Sequence, residues 1–404
     1  MPQAIMPPPS PELSRKAAIV GIGETDYHTD YQAARSRAPG YEAPSVESLS
    51  LTAFERALAD SGLRRGDIDG LSVSFTFGGP PPAEMATLLG IEPGFAITNG
   101  NIMAGPLPVV CAAIAEGKAR TVAMIFSVAS RSIGKQFGGA SDAMAEGMPA
   151  SYYYFHPWGW SSQAAHWALM FSHYQATYNV REEDLGAVAI QVRRHASATP
   201  QAVMQTPMSA ADYMASRYIV RPLHLFDICL VNDGAVCLIV TTPEHARDLP
   251  HAPVEVAGWG EAKIRNRKLD TMVRQRLRPQ MQEAGGQALD MAGIALADIQ
   301  LFEGYDASTI HLINQIEGFG FVEPGAGIDF CKDGGMAVDG ALPTNTGGGN
   351  LSGSYMQGWS QVANVVRQLR HEAGAQQVAD ARIAMTSLVQ TDQAHPLIFA
   401  RGEN

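Results

Sequence analysis

Cysteine is scarce: four in 404 residues, at positions 111, 229, 237 and 331, with no CxxC pair and no His/Cys ligand spacing. That excludes a disulfide scaffold and a structural zinc finger, leaves no metal site to expect, and points to a reducing compartment. Positive charge is in deficit, with 29 Lys and Arg against 40 Asp and Glu for a net charge of -11. A nucleic-acid surface, which needs a basic excess, is thereby disfavoured, as is general attraction to anionic membranes. Long apolar runs are missing too, and stretches such as AVCLIV at 235–240 are far too short to cross a bilayer. There is no GxxxxGK[ST], HExxH or GxSxG, and GIGETD lacks the third glycine of a dinucleotide fingerprint. The opening MPQAIMPPPSPELSRK is proline-rich without an apolar h-region, so 1–14 reads as a flexible tail rather than a signal peptide. A cytoplasmic location is expected.

What is present is core-forming material. Hydrophobic residues make up 46% of the chain and charged ones 17%, and the length exceeds one ordinary domain. The organisation is carried by two echoes in the same order. IVGIGET at 19–25 returns as VAGWGEA at 256–262, and ALADSGLRRGDI at 57–68 returns as ALDMAGIALADI at 288–299. They argue for a duplicated unit, with an N-terminal half over 15–250, a C-terminal half over 251–404, and a large insertion at about 128–220 that fits neither copy. Strands alternating with helices in both halves predict an α/β protein with a mostly parallel sheet covered on both faces.

Each half also carries a Gly/Asn loop before a helix: TNGNIMAGP, with Asn99 and Gly100, and NTGGGNLSGSY, with Asn345, Gly348, Gly349 and Ser354. Helix starts offer free N–H donors and a positive dipole end, suited to an anionic or carbonyl oxygen. A turn is the plainer reading of either loop alone; two at matched places suggest a shared site.

The segments RPLHLFDICLVNDGAVCLIVTTPEHARDL at 221–249, YDASTIHLINQIEGFGF and LPTNTGGGNLSGSYMQG resemble the thiolase superfamily, in its sterol-carrier-protein-x-like branch. The resemblance runs from about Ala17 to Arg401. It implies two βα halves packed as five layers, αβαβα, and usually a homodimer. A thiolase of this branch would carry a nucleophilic Cys on the first-half loop, a His in an HDCF-like stretch, another in a GHP-like stretch, and often a Cys near the C-terminus. Here Gly100 or a neighbour stands at the Cys position, Tyr305 replaces the first His, Tyr355 the second, and SLVQTDQAHP has no Cys. Cys111 reads as a core thiol, Cys229 and Cys237 as flanking a buried strand, and Cys331 as the only loop thiol. Without a thiolate there is no acyl-enzyme.

This double exchange resembles the superfamily's acyl-CoA aldolases, which act on β-hydroxyacyl-CoA thioesters, including those of steroid side-chain degradation. Retro-aldol cleavage needs a base for the β-hydroxyl proton, donors for the thioester enolate and an acid for its carbon. Tyr305 and Tyr355, read as converging from separate halves, are the expected catalytic pair; half-buried packing tyrosines are the plain alternative. The aromatic stretch around His156 reads as a substrate cover or a dimer-packing loop, and the basic run 263–279 as a solvated helix face or a contact for coenzyme A phosphates. The resemblance implies a ketone or aldehyde product, a shorter acyl-CoA, no covalently bound cofactor, and a small OB-fold, zinc-ribbon companion subunit in a hetero-oligomer. Two other functions stay open here: an acyltransferase without a cysteine nucleophile, and a non-catalytic acyl-CoA-binding scaffold.

Overall fold

The computed structural model describes residues 6–37, 39–76, 78–98, 105–134, 158, 162–264, 277–389 and 393–403. Its strands are β1 (Ala18–Glu24), β2 (Gly70–Phe75), β3 (Phe95–Thr98), β4 (Thr121–Val128), β5 (Tyr218–Val220), β6 (Leu223–His224), β7 (Gly234–Thr241), β8 (Val254–Trp259), β9 (Ala262–Lys263), β10 (Leu301–Gly304), β11 (Ile383–Val389) and β12 (Gln393–Arg401). The helices are α1 (Tyr27–Ser36), α2 (Val46–Ser61), α3 (Pro82–Leu89), α4 (Pro106–Ala115), α5 (Gln163–Tyr178), α6 (Glu182–Ser197), α7 (Ala210–Ala215), α8 (Pro243–Ala246), α9 (Arg278–Ala292), α10 (Thr309–Phe319), α11 (Gly327–Lys332) and α12 (Trp359–Arg370).

One sheet runs through the molecule in the order β10-β11-β12-β8-β1-β7-β4-β2-β3, with β9 on β12. Its two sides repeat one pattern. In the first, β1 and β4 are antiparallel to β7 and β2 is parallel to β4; in the second, β8 and β11 are antiparallel to β12 and β10 is parallel to β11. The sheet is therefore mixed, not mostly parallel. Among the described residues the parallel strand pairs are β2–β4, β2–β3 and β10–β11, with one isolated parallel bridge between Phe302 and Thr344. The halves meet edge to edge at β1 and β8, where Ala18 pairs with Glu255 and Ile19 with Val254, and Val256 bonds the backbone of Arg15 and Ala17.

The repeated glycines have a steric cause. A Cβ on Gly23 would stand 2.0 Å from the Ala53 carbonyl oxygen of α2, and one on Gly260 would stand 2.0 Å from the Ala284 oxygen of α9. Gly21 and Gly258 face Ala57 and Ala288 in the same way. Each helix thus lies directly on the first strand of its half, where a side chain cannot fit. The helices then end at Gly62 and Gly293, both left-handed, with φ of 72° and 70°.

Layering follows from which faces are apolar. α2 and α3 bury residues such as Phe54 and Met85 against the outer face of the first side, and α9 and α10 do the same on the second with Ala288 and Ile313. Between them α4 and α12 share one core, where Val110, Phe126, Val256, Trp359 and Phe399 pack together. The result is the five-layered αβαβα arrangement.

The insertion contributes α5, α6, α7 and the β5–β6 hairpin, and packs on the second side rather than its own. Ala164, Phe171 and Val188 join the core of Ile310 and Ile313. Residues 6–14, expected to be a flexible tail, are held to the second half: Trp259 Nε1 donates to the Pro7 oxygen at 3.1 Å and Ser14 Oγ to the Ala257 oxygen at 2.7 Å.

Candidate active site

Tyr305 and Tyr355 are brought together: their hydroxyl oxygens lie 3.3 Å apart in a hydrogen bond. Tyr305 follows β10 directly and continues its pairing, with its N–H donating to the Ser387 oxygen of β11 at 2.9 Å. Its own carbonyl accepts from Gln315 Nε2 at 2.8 Å, and Ser387 Oγ donates to Gln315 Oε1 at 2.6 Å. Tyr355 leaves a tight turn over Gly349–Gly353, and its N–H donates to Asn232 Oδ1 at 2.7 Å. Gln357 Nε2 reaches the Tyr355 hydroxyl at 3.4 Å. Both phenols belong to the second half, not to one half each. The first half supplies Asn232 and Cys229, whose charge, were it a thiolate, would be felt by both phenols.

Both tyrosines are neutral at physiological pH. Burial pushes the Tyr355 phenol up to about 12, and burial, with Tyr355 beside it, pushes Tyr305 well above its ordinary value. The thiols are raised as well. Burial moves Cys229 to about 12 and Cys331 to about 12, and holds Cys111 and Cys237 higher still. Cys331 is not a loop thiol: it lies buried in α11.

The glycine loop turns inward. A Cβ on Gly349 would stand 2.1 Å from Asp306 Oδ2, and one on Gly348 would stand 2.6 Å from Ala196 Cβ. Asp306 Oδ1 accepts from the Asn350 backbone N–H at 2.7 Å, Asn350 Nδ2 at 3.0 Å and Gln361 Nε2 at 3.1 Å, while Oδ2 accepts from the Leu351 N–H at 3.2 Å. The anion the loop was expected to receive is thus the protein's own carboxylate. Asp306 does not cap the following helix; Ser308 Oγ does, accepting from the His311 N–H at 3.3 Å. Nor does Tyr355 open a helix, since α12 starts at Trp359 after Gly358 at φ 89°.

Asn345 spends its amide on Gly304, accepting from that N–H at 2.8 Å and donating to that oxygen at 3.0 Å. It is a clasp on the end of β10, next to Tyr305. Ser354, almost fully buried, faces the opposite side of the loop, where it lines a polar cavity with Glu24, Tyr27, Glu303 and Arg367. Asn99, Gly100 and His156 lie outside the described residues, as do 265–276 of the basic run.

Several supports escaped sequence reading. Beneath the loop, Glu303 Oε1 accepts from the Thr346 N–H at 2.8 Å and Asn364 Nδ2 at 2.8 Å. Burial lifts Glu303 to about 7 and Asp306 to about 7, the loop's N–H donors pulling against it. From the insertion, Arg193 Nε donates to Ser352 Oγ at 3.0 Å and His195 Nδ1 to the Asn345 oxygen at 3.1 Å. Asn232 sits in VNDG, inside a segment that carried the family resemblance, and its neighbour Asp233 accepts from the Arg131 N–H at 2.9 Å.

A family model described as Thiolase C-terminal domain-like matches residues 263–391. A steroid side-chain-cleaving aldolase of Thermomonospora curvata is 33% identical over 374 residues, covering 89% of this chain and 91% of that one. The chain belongs to the thiolase superfamily, in its acyl-CoA aldolase branch. A 17-hydroxy-3-oxo-4-pregnene-20-carboxyl-CoA lyase of Mycobacterium tuberculosis is 34% identical over 377 residues, covering 89% and 92%. The solved Ltp2-ChsH2(DUF35) aldolase superposes with a TM-score of 0.84 at 30% identity, over 97% of this superfamily member and 99% of that chain. Among the described residues no helix is long and apolar enough to cross a membrane.

Proposed function

We propose that this thiolase-superfamily enzyme is a retro-aldol lyase that splits a β-hydroxyacyl-CoA into a ketone or aldehyde and a shorter acyl-CoA. The observation that supports it most is the hydrogen-bonded pair of neutral phenols, at positions that the family resemblance gives to histidines, with all four thiols protonated. A thiolase reaction begins with a thiolate attack, and none is on offer. Retro-aldol cleavage moves one proton from the β-hydroxyl to the enolate carbon, and two linked phenols suit that task. As the carbon–carbon bond breaks, one phenol oxygen accepts the hydroxyl proton and passes its own proton to the other phenol, whose proton goes to the enolate carbon. The pair ends as it began, with no free phenolate. A relay of this kind fits raised phenol values better than a resting base does. Tyr305 and Tyr355 share the two roles.

The substrate we infer is a bulky β-hydroxyacyl-CoA, on the model of the steroid-cleaving relatives. The oxyanion donors we place on the first-half loop of Asn99 and Gly100. The Ltp2-ChsH2(DUF35) aldolase supports a partner subunit; we infer from the family resemblance that it is a small OB-fold, zinc-ribbon companion beside a homodimer in the cytoplasm. The division at about residue 250 into two halves belongs to the same reading. Incubating the chain, with and without its companion, with branched and steroidal β-hydroxyacyl-CoA thioesters tests it. Stoichiometric release of a carbonyl compound and a shortened acyl-CoA is expected. An acyl adduct trapped on any side chain, or free CoA formed from acetyl-CoA, would overturn it.

A further inference from the structure

A cavity of about 180 Å³ lies over α10. One of its lining residues is His311, whose ring meets the Tyr305 ring edge-on with centroids 5.9 Å apart. Met170 of α5, Met281 of α9 and His311 and Glu317 of α10 form the buried floor; Tyr178, Thr177 and Arg278 form the rim. Three properties of this lining specify a ligand.

The first is size. An apolar protein cavity of roughly 150 Å³ takes up benzene, so this one suits a single ring or a short branched chain. The second is charge. The Glu317 carboxyl accepts from Tyr174 Oη at 2.6 Å and from the Gly327 N–H at 2.9 Å, and burial raises it above its ordinary value. A carboxyl already bonded and disfavoured as an anion leaves the floor suited to a neutral guest. The third is an unspent polar atom on the floor. His311 is 7% exposed, and its Nδ1 has no hydrogen-bond partner among the described residues. Burial, with His166 nearby, lowers the ring to about 4, so it is uncharged at neutral pH, one nitrogen carrying a proton and the other a lone pair. A hydroxyl satisfies either nitrogen, since it both donates and accepts. The two methionines give an adaptable apolar surface for the rest of the molecule.

We propose that this cavity is a second ligand site, separate from the phenol pair, for a neutral molecule of single-ring size bearing one hydroxyl, held at His311 Nδ1. The inference rests on the cavity alone and stands whether or not the lyase reading does. The full-length chain is titrated by calorimetry with phenol and with toluene, which matches phenol in shape but lacks the oxygen. Phenol is expected to bind saturably at one site per chain, about tenfold tighter than toluene, the worth of one neutral hydrogen bond. His311→Phe should erase that difference. Thr177→Trp, at the exposed rim, should block both ligands with the circular dichroism unchanged, and it keeps the test decisive if His311→Phe does not fold. Equal affinities for phenol and toluene, no saturable binding, or phenol binding that survives Thr177→Trp would each overturn the site.

Discussion

Replacing Tyr355 with Phe removes a single oxygen from a side chain held elsewhere by its backbone bond to Asn232. The lyase reaction should fall by roughly 10²–10⁴-fold, the usual contribution of positioned acid–base groups, with the melting temperature unchanged. Carbonyl release in steady state checks the first part and calorimetry the second. The pH profile carries a sign as well: with Tyr355 at about 12, the rate should not rise between pH 7 and 9 from phenol ionisation, and should fall only in strong alkali. Asp306 makes a different prediction. Its folded value of about 7 lies above the ordinary carboxyl value, so between those limits the folded chain binds more protons than the unfolded one. Stability should therefore drop as pH rises from about 4 to 7 and level off above it. Asp306→Asn should flatten part of that slope, and should also cost about 1–3 kcal/mol, because an amide cannot accept from all four donors. Urea titrations across pH measure both. The tyrosine pair was legible in the sequence because a residue swap at two family positions shows in the letters. The inward turn of the glycine loop was not: Gly349 and Asp306 are 43 positions apart, and nothing local marks one as the other's counterpart.

At the level of elements, the strand-to-helix contacts at Gly23 and Gly260 set a limit on what the duplicated unit tolerates. Gly260→Ala would drive a methyl into the Ala284 carbonyl and should destabilise by about 1–3 kcal/mol, with Gly23→Ala the same at Ala53. Gly286 provides the internal control. It lies in α9, with nothing within 4 Å of an added Cβ, so Gly286→Ala should stabilise by about 0.5–1 kcal/mol. Denaturant midpoints of the three variants decide the matter. Two helices were legible almost to the residue, since a periodic apolar face and a glycine stop fix α2 and α9, whereas α12 begins at Trp359, later than the expected start at about 355. Strand direction was not, because β7 and β12 pair with neighbours brought from far along the chain, and pairing partners leave no mark on a strand's own residues.

For the whole molecule, the central layer decides how it unfolds. The β1–β8 seam is a short backbone connection, yet one apolar core takes side chains from α4, α12 and both sides of the sheet. Charges cross the same boundary: the fully buried Arg370 guanidinium meets Asp60 at 2.8 Å, and Arg367 pairs with Glu24. Thermal unfolding should therefore be one calorimetric transition, and 15–250 or 251–404 expressed alone should expose this core and aggregate. The duplication itself could be read from two short echoes. The crossing of the insertion to the opposite half could not, since nothing in α5 or α6 states which neighbour completes its core.

The carboxylate enclosed by the glycine turn has a consequence for descent. A side chain at 349 and a carboxylate at 306 claim one volume, so neither position can drift without the other. Among kindred chains the two should be inherited as a couple: glycine wherever the acid persists, and release of the glycine only in lineages that have already shortened or lost it.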